Sequence, residues 1–443
     1  MGENLRTQAG PWCGGLTDSS VTIRASVLKS VAKARVIVAE NEQLTANPTV
    51  HDAVSVWKDP DRSYRHQVAT FVPAGLKPAT SYFFRLELDG DTTRALPGRF
   101  RTAPPLGGPL GFRFALSGCA KPKLFFGGGR PEAYRAIAGM SDLLFFFHLG
   151  DFHYENIDDE SVVPRLEAYD DTLRREGIGD LFRQLPLAYS WDDHDFLGND
   201  TEGGDPDNEA ARRFARSAYD IYVPHYPLAS ATEGIYQSFQ IGRVLFLLTD
   251  SRFAKSPRKG SSTAGKTVLG TSQKTWLKSE LLRGKDLDLI VWASSIPWIG
   301  EEEAGEDFWA GYAAERAELC QHLVANDIRN VCMISADAHM VAIDDGSHSG
   351  YAPGGRGGFP VFQAAALESS ESEKGGPYSF GNEDGQTGPG IAGSRQFGVF
   401  EVDYSGGTGP VVKWTAFRAE KGTTAVTPLL RHEFPARQTF AGF

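Results

Sequence analysis

Residues able to bind a metal ion follow several apolar segments of the 443-residue chain. The segment LLFFFHLG at 143–150 is followed at once by Asp151, with Tyr154 three residues further on. Four other segments end in the same way, and they are followed by Cys119, by Asp193 and His194, by Asp250 and Arg252, and by Asp337 and His339. Polar groups at the carboxyl ends of strands gather at one edge of an α/β sheet. The pattern therefore predicts one site assembled from separate segments.

The types of these residues indicate the chemistry of the site. Carboxylates and imidazoles suit hard or borderline metal ions, whereas a thiolate and a phenolate suit an iron-like or trivalent centre. Two metal ions roughly 3.5–4 Å apart can clamp an oxyanion and ionise a bridging water. We expect Asp151 to bridge them, His194 to act as the general acid, and Arg252 to bind phosphoryl oxygens.

Each of these residues also has a purely structural interpretation. A lone cysteine such as Cys119 is more often an inert buried thiol than a ligand. Asp151 could cap a turn, and Tyr154 could be a packed aromatic ring. Arg252 could form a structural ion pair with Asp250.

The carboxylates at 192–195 could be exposed loop charges, although the His194 among them, close after Trp191, favours a site. The acidic region 191–208 holds seven carboxylates and could bind calcium, but its spacing is not that of an EF-hand loop.

Composition excludes several classes of protein. A net charge of −11 argues against a nucleic-acid-binding surface. No apolar run approaches the roughly 18–20 residues that span a bilayer, and the first residues contain no export signal. The chain as it stands is thus predicted to be cytoplasmic, or periplasmic or secreted if a leader was removed. The four cysteines form no C-x-x-C pair, and the sequence gives no indication of the oligomeric state.

The chain divides into two predicted parts. Residues 1–104 contain short, partly alternating apolar runs separated by turn residues, which is typical of a small β-sandwich domain. A Pro/Gly-rich linker follows. Residues 111–443 alternate strands with helices and predict a layered α/β catalytic domain. Polar, Gly-rich loops within 346–390 are candidates for flaps over the site.

Seven segments resemble the motifs of the alkaline phosphatase D (PhoD-like) family of metallophosphoesterases. They occur in the family's order over roughly 117–340, and they are SGC, GDFHYE, WDDHDFLGND, TDSR, GTSQKTWL, DFWAGYAAER and SADAH. The resemblance implies a calcineurin-like αββα sandwich with an N-terminal fibronectin- or immunoglobulin-like domain. It also implies hydrolysis of phosphomonoesters or phosphodiesters at a multinuclear centre of Fe(III) and Ca²⁺, with Mn²⁺ or Zn²⁺ as the alternative. Some relatives act on phospholipids.

The resemblance also assigns roles to residues of this chain. It implies that Cys119, Asp151 and Tyr154 bind the iron, with Asp151 bridging. Further implied metal ligands are Asp193, which replaces the Asn of an Asn–His pair, Asp337, His339, and Asn199, which matches an Asn that follows the Asp–His pair.

Two departures from the family pattern affect the site. Ala336 stands where the family usually has Gly, and Ser294 and Ser295 lie near a position where relatives often carry a polar amide.

Two other functions are less well supported by the sequence. A non-catalytic binding protein on a degenerate scaffold would lack metal ligands, but here every core position is filled. An α/β-hydrolase type of esterase would need a Gly-x-Ser-x-Gly elbow, which is not present. The choice between a monoester, a diester and a phospholipid substrate stays open.

Overall fold

The computed structural model describes residues 7–93, 95–121, 131–260, 262–406 and 409–437. The strands of the first half are β1 Thr7–Gly14, β2 Thr22–Leu28, β3 Ala34–Ala39, β4 Thr49–Asp52, β5 Ser55–Lys58, β6 His66–Phe71, β7 Ser81–Leu88, β8 Gly98–Arg101, β9 Phe112–Ser117, β10 Leu143–Leu149 and β11 Leu187–Ser190. Those of the second half are β12 Gln237–Ile241, β13 Val244–Leu248, β14 Leu289–Ala293, β15 Val331–Ser335, β16 Met340–Asp344, β17 Val361–Ala364, β18 Ile391–Ala392, β19 Gln396–Asp403, β20 Val411–Ala419 and β21 Val426–Pro435. The helices are α1 Glu132–Ala138, α2 Val163–Leu173, α3 Ile178–Gln184, α4 Asp193–Phe196, α5 Glu209–Tyr222, α6 Gly270–Gly284 and α7 Ala313–Ala325.

Two large sheets pack face to face. One has the strand order β21-β20-β19-β9-β10-β11-β1-β2-β6-β5, and the other has the order β12-β13-β14-β15-β17-β16-β18. Phe114 and Phe145 of the first sheet stack at 4.7 Å, and both contact Phe246 of the second sheet. The apolar core between the sheets is therefore built largely from phenylalanine rings.

Helices cover the outer face of each sheet. Ala115 and Phe146 alternate with the inward-facing phenylalanines and pack with residues of α1, α2, α3 and α5. Trp292 and its neighbours on the second sheet pack with residues of α6 and α7. Burial on both faces explains why β13 is apolar along its whole length and why β10 is apolar except for His148. The layers are thus helices, sheet, sheet and helices, as the sequence predicted for this part of the chain.

Parallel strands bring the predicted site residues to one edge. In the first sheet β9, β10 and β11 are parallel neighbours. In the second sheet β13, β14 and β15 are parallel neighbours. The carboxyl ends of these six strands carry all five of the polar clusters that the sequence placed after strands.

The eight strands before residue 104 belong to two sheets, one of which is shared with the rest of the chain. β4, β3, β7 and β8 make a separate four-stranded sheet, whereas β1, β2, β6 and β5 continue the ten-stranded sheet. β1 is the link, because it pairs with β2 and, through Gly14 and Leu187, with β11. The division of the chain at residues 104 and 111 into two domains stays a prediction.

A few strands were not anticipated from the sequence. β17 is a buried strand inside the region 346–390, between the two segments 351–360 and 369–390 that the sequence predicted as Gly-rich loops. β16, β18 and β21 were also not predicted. Among the residues described here, no helix combines the length and the apolar character needed to cross a membrane.

Candidate metal centre

Cys119 and Asp151 occupy the turns that follow the neighbouring strands β9 and β10. The two turns are joined by backbone hydrogen bonds, from the Cys119 N–H to the Gly150 carbonyl at 3.0 Å and from the Ala120 N–H to the Asp151 carbonyl at 2.8 Å. Both side chains are buried. The thiol and the carboxylate are therefore fixed relative to each other by the strands behind them.

Two glycines allow these turns to approach each other. Gly150 has φ +99°, and a Cβ at this position would lie 2.3 Å from the Cβ of Asp192. A Cβ on Gly118 would lie 2.9 Å from the Cβ of Ala336 and 3.1 Å from the Gly150 carbonyl oxygen. The methyl group of Ala336 is accommodated because Gly118 opposite has no side chain.

Residues with left-handed backbone conformations are concentrated at this edge. The non-glycine residues of the site with positive φ are Cys119 (59°), Asp151 (62°), Tyr154 (61°), Asn156 (53°), Asp337 (66°) and His339 (46°). Such conformations cost roughly 1–3 kcal/mol each and cluster at functional sites. Their concentration here indicates that the surrounding structure fixes the backbone in strained conformations that direct these side chains to the site.

Asp195 holds the loop after β10 in place. Its buried carboxylate accepts hydrogen bonds from the backbone N–H groups of Phe152 at 2.6 Å and His153 at 3.0 Å, and from the Tyr189 hydroxyl at 2.7 Å. Asp192 and Asp193 are also buried. The carboxylates at 192–195 are therefore site residues and not exposed loop charges.

Three groups of side chains could each hold a metal ion, because the ligand atoms within a group all lie within 4.8 Å of one another. The first group is Cys119, Asp151 and His339, the second is Asp151, Asp193 and His194, and the third is Asp193, Asp200 and Asp307. Asp151 belongs to the first two groups. Its carboxylate can therefore contact cations on both sides.

Tyr154 and Asp337 adjoin these groups. The Tyr154 hydroxyl lies 3.5 Å from Nε2 of His339, and its ring stacks on His194 with the centroids 4.2 Å apart. Asp337 accepts two hydrogen bonds from the Lys374 ammonium, at 2.8 and 3.0 Å. Among the residues described, Asp337 is in none of the three groups.

Asn199 is exposed in the turn after α4. The next residue, Asp200, is the one directed at the site, since its N–H donates to Oδ2 of Asp193 at 2.7 Å. The ligand role of Asn199 stays a prediction.

Arg252 is fully buried and its side chain is engaged by carboxylates. Nε pairs with Asp192, and Nη1 donates to Asp307 at 2.8 Å. Only Nη2 is left, 3.8 Å from an oxygen of Asp193 and without a hydrogen bond. The interpretation of Arg252 as an ion-pair partner of Asp250 is wrong, because Asp250 instead accepts a hydrogen bond from the backbone N–H of Arg252.

One of the two serines near the amide position of the family contacts the carboxylates. Ser295 donates to Asp192 at 3.0 Å and is hydrogen-bonded to Ser251, whereas Ser294 donates to the Ile296 carbonyl. Ser295 therefore helps Arg252 to hold Asp192 in position.

Besides Asp200, sequence reasoning missed three residues that the structure brings to the site. Oδ1 of Asn156 lies 2.6 Å from Nδ1 of His194. Asp307 pairs with Arg252 and with Lys255. Lys374 reaches Asp337 from one of the Gly-rich loops. Asp307 lay within the quoted segment DFWAGYAAER, whereas no sequence signal distinguished Asn156 or Lys374.

The carboxylates carry more negative charge than the surrounding cations balance. Burial, followed by the charges of Asp193 and Asp192, raises the pKa of Asp151 well above its usual value. Burial and the charge of Asp151 likewise raise the pKa of the Cys119 thiol. Burial also raises the pKa of Asp307, but the charges of Arg252 and Lys255 outweigh it and the net pKa is lowered. The imbalance is thus localised around Asp151, where a bound cation would favour the ionised groups.

The donor set around Asp151 fits a metal ion. Oδ1 of Asp151 and Oδ2 of Asp192 are buried and have no hydrogen-bond partner among the described residues. Unpartnered buried oxygens are costly unless a ligand satisfies them. A thiol, a phenol, an imidazole and carboxylates converge here, which is the combination expected for an iron-like centre beside a harder cation.

Comparison with known proteins gives the same assignment from the sequence and from the fold. The family model described as PhoD-like phosphatase matches residues 114–407, which is more than half of the chain. Alkaline phosphatase D of Bacillus subtilis (strain 168) is 24% identical over 371 residues, covering 74% of this chain and 59% of that protein. This chain therefore spans less than two thirds of the length of that relative.

Two solved structures share the fold over nearly the whole chain. The structure of PhoD superposes with a TM-score of 0.71 at 17% identity and covers 97% of this chain and 93% of its own. A purple acid phosphatase from yellow lupin (Lupinus luteus) seeds gives a TM-score of 0.63 at 13% identity, covering 94% of this chain and 73% of its own. At these identities the two comparisons establish the metallophosphoesterase-like fold.

Proposed function

Because the chain belongs to the PhoD-like phosphatase family, we propose that it is a metal-dependent phosphoester hydrolase of the alkaline phosphatase or phosphodiesterase type. The observation that carries this proposal is the position of Asp151 in two adjoining ligand groups, one with the Cys119 thiol and one with the Asp193 carboxylate. This arrangement suits two cations that share one carboxylate.

The residues suggest which cation each group would hold. Cys119, Tyr154 and His339 would bind Fe(III) together with Asp151, whereas Asp193 and its carboxylate neighbours would bind Ca²⁺; Mn²⁺ or Zn²⁺ is the alternative. When bound, such ions act as Lewis acids toward phosphoryl oxygens and activate water for attack on phosphorus. The chain's own task is to hold these ligands rigidly, which the joined turns after β9 and β10 do.

His194 is the residue proposed to protonate the leaving group. Its Nδ1 lies 2.6 Å from Oδ1 of Asn156, an atom that can only accept, so the Nδ1 proton is held by that bond. The ring is further fixed by its stack on Tyr154. Nε2 is then the atom that would deliver a proton to the leaving oxygen.

Lys374 supports the binding of an anionic substrate. Arg252 and Lys255 are fully buried and engaged with Asp192 and Asp307, whereas the Lys374 side chain is 28% exposed. Burial lowers the pKa of Lys374, but the charge of Asp337 outweighs it and the net pKa is raised, so the ammonium stays charged. In this proposal Lys374 meets the phosphoryl group, and Arg252 orders the carboxylates and offers only Nη2.

The substrate is proposed to be a phosphomonoester or phosphodiester, and a phospholipid diester is the alternative within the same family. The eight N-terminal strands are proposed to form a fibronectin-like sandwich at residues 1–104. A non-catalytic role for the chain is disfavoured because the ligand groups around Asp151 are complete.

The proposal is tested by hydrolysis of p-nitrophenyl phosphate and bis(p-nitrophenyl) phosphate. The metal-loaded protein should hydrolyse at least one of them, and a chelator should abolish the activity. Asp151→Asn, which keeps the size of the side chain, should lower kcat by at least about 10³-fold. Asp158→Asn, an exposed carboxylate seven residues further on, is the matched control. Activity that survives both chelation and Asp151→Asn would contradict the proposal.

A further inference from the structure

A cavity of about 680 Å³ lies between α5, α6 and the segment 231–236. Its lining includes none of the ligands of the candidate metal centre, so it is a separate site. The volume is in the range of pockets that hold small organic ligands, roughly 300–1,000 Å³. The walls are part apolar, from Phe253 and Leu269, and part polar.

The cavity is positively charged in a chain whose net charge is −11. Arg212, Arg213 and Arg216 of α5 line it, and Glu233 is the one acidic residue among the lining residues. Nε of both Arg212 and Arg216 is buried without a hydrogen-bond partner among the described residues. Guanidinium groups favour phosphate and carboxylate ligands.

The arginines are held in place by the walls of the cavity. Arg216 donates through Nη2 to the Ser230 carbonyl at 2.9 Å, its Nη1 lies 3.8 Å from Oδ2 of Asp220, and its side chain is only 11% exposed. Arg212 donates to the carbonyl of Gly203 and lies 4.9 Å from the centre of the Phe253 ring. Arg213 is different, because its side chain is 68% exposed and pairs with Glu209. Two of the three guanidinium groups are therefore positioned before any ligand arrives.

The first turn of α6 faces the same cavity. Gly270, Thr271 and Ser272 line it. The Gly270 N–H donates to Oγ1 of Thr267 at 2.7 Å, so the first-turn amides that remain are those of Thr271 and Ser272. Gly270 has φ +69°, and a Cβ there would lie 2.8 Å from the Cβ of Ala254. Only glycine therefore allows the first residue of α6 to lie this close to Ala254. Free amides and the positive end of a helix attract anions.

The opposite wall is fixed by Asp250. Its carboxylate accepts from the N–H groups of Ile235 and Arg252, each at 2.9 Å, and from Nε1 of Trp191 at 2.9 Å. Gly234 lies against the same carboxylate, where a Cβ would be 2.8 Å from Oδ2. The cavity is thus a built feature rather than a gap between mobile loops.

We propose that this cavity binds the phosphate group of a small organic phosphate at a second site distinct from the metal centre. The arginines of α5 and the first amides of α6 would hold the phosphate, and Phe253 and Leu269 would contact the organic part. This inference does not rest on the proposed hydrolase activity.

The test measures binding of inorganic phosphate to the metal-loaded full chain by equilibrium dialysis. Thr271→Asp places a negative charge in the cavity, and an acidic residue in the first turn also favours the helix, so folding should be preserved. Ser279→Asp adds the same charge to an exposed position of α6 outside the cavity. Arg213→Gln is a second variant whose exposed side chain can be replaced without disturbing the core.

We expect Thr271→Asp to lose one bound phosphate per chain, with affinity lowered at least about tenfold, and Ser279→Asp to lose none. Arg213→Gln should weaken the same phosphate several-fold, and Asp151→Asn should keep it. The inference is overturned if Thr271→Asp binds as the Ser279→Asp control does, or if Asp151→Asn loses all bound phosphate.

Discussion

Replacing Gly150 by alanine should damage the metal centre through one methyl group. The added Cβ would lie 2.3 Å from Cβ, 2.7 Å from the backbone N and 3.0 Å from Cα of Asp192. Ordinary carbon contacts are roughly 3.5–4.0 Å, so Asp192 must retreat by about 1 Å. Two of the three clashing atoms are backbone, and no rotamer change can relieve them.

The size of the effect follows from two separate costs. Overpacking costs roughly 1–3 kcal/mol, and the left-handed φ of +99° adds roughly 1–2 kcal/mol for a residue with a Cβ. The free energy of unfolding should therefore fall by about 2–5 kcal/mol. A shift of about 1 Å in Asp192, which precedes the predicted ligand Asp193, should lower phosphoester turnover by about 10²-fold.

Gly90→Ala separates these two costs. Gly90 has a similar φ of +84° but nothing within 4 Å of an added Cβ, so this control carries only the backbone cost of roughly 1–2 kcal/mol. Urea unfolding and phosphoester turnover are measured for both variants. Equal stability and equal turnover in Gly150→Ala and Gly90→Ala would refute the packing argument.

Three further substitutions test individual contacts of the site. Asp195→Ala leaves the Phe152 and His153 N–H groups buried without an acceptor and should lower the free energy of unfolding by about 2–5 kcal/mol. Asp195→Asn keeps an acceptor oxygen and should recover at least half of this loss. Equal urea midpoints for the two variants would contradict this role of Asp195. Lys374→Met should raise KM for an anionic phosphoester about tenfold. The control is Lys278→Met, which removes a lysine that pairs with Glu318 and should leave KM unchanged. An unchanged KM in Lys374→Met would show that Lys374 does not bind the substrate. Asn156→Ala should lower kcat about tenfold with little change in KM, because it removes the acceptor of Nδ1 of His194. A change confined to KM would show that Asn156 does not position the general acid.

The sequence predicts those parts of the fold in which the burial of the side chains follows a regular pattern along the element. β9 and β10 are mostly apolar because both of their faces are largely buried, and glycine follows the end of each strand. The polar residues that follow these strands then meet because the strands are parallel neighbours. Cys119, Asp151, Asp193, His194 and His339 could therefore be grouped without coordinates.

Other features depend on contacts that a sequence does not encode locally. β1 contains a Gly-Pro pair, and its place in the sheet is set by β11, more than 170 residues later. Asn156 and Lys374 lie in loops, where no periodic pattern distinguishes a residue that faces the site. The ion pairs of Arg252 could not be predicted for the same reason, since its partners Asp192 and Asp307 come from separate loops.

The central claim is that the Asp151 carboxylate joins two cation sites, and metal analysis tests it most directly. The account predicts at least two metal ions per chain in the purified protein and a loss from both sites in Asp151→Asn, with an unchanged circular dichroism spectrum. If iron is present, a visible absorption band from Tyr154 or Cys119 should disappear in the same variant. A protein that hydrolyses phosphoesters without bound metal, or an Asp151→Asn variant that retains its full metal content, would contradict the claim.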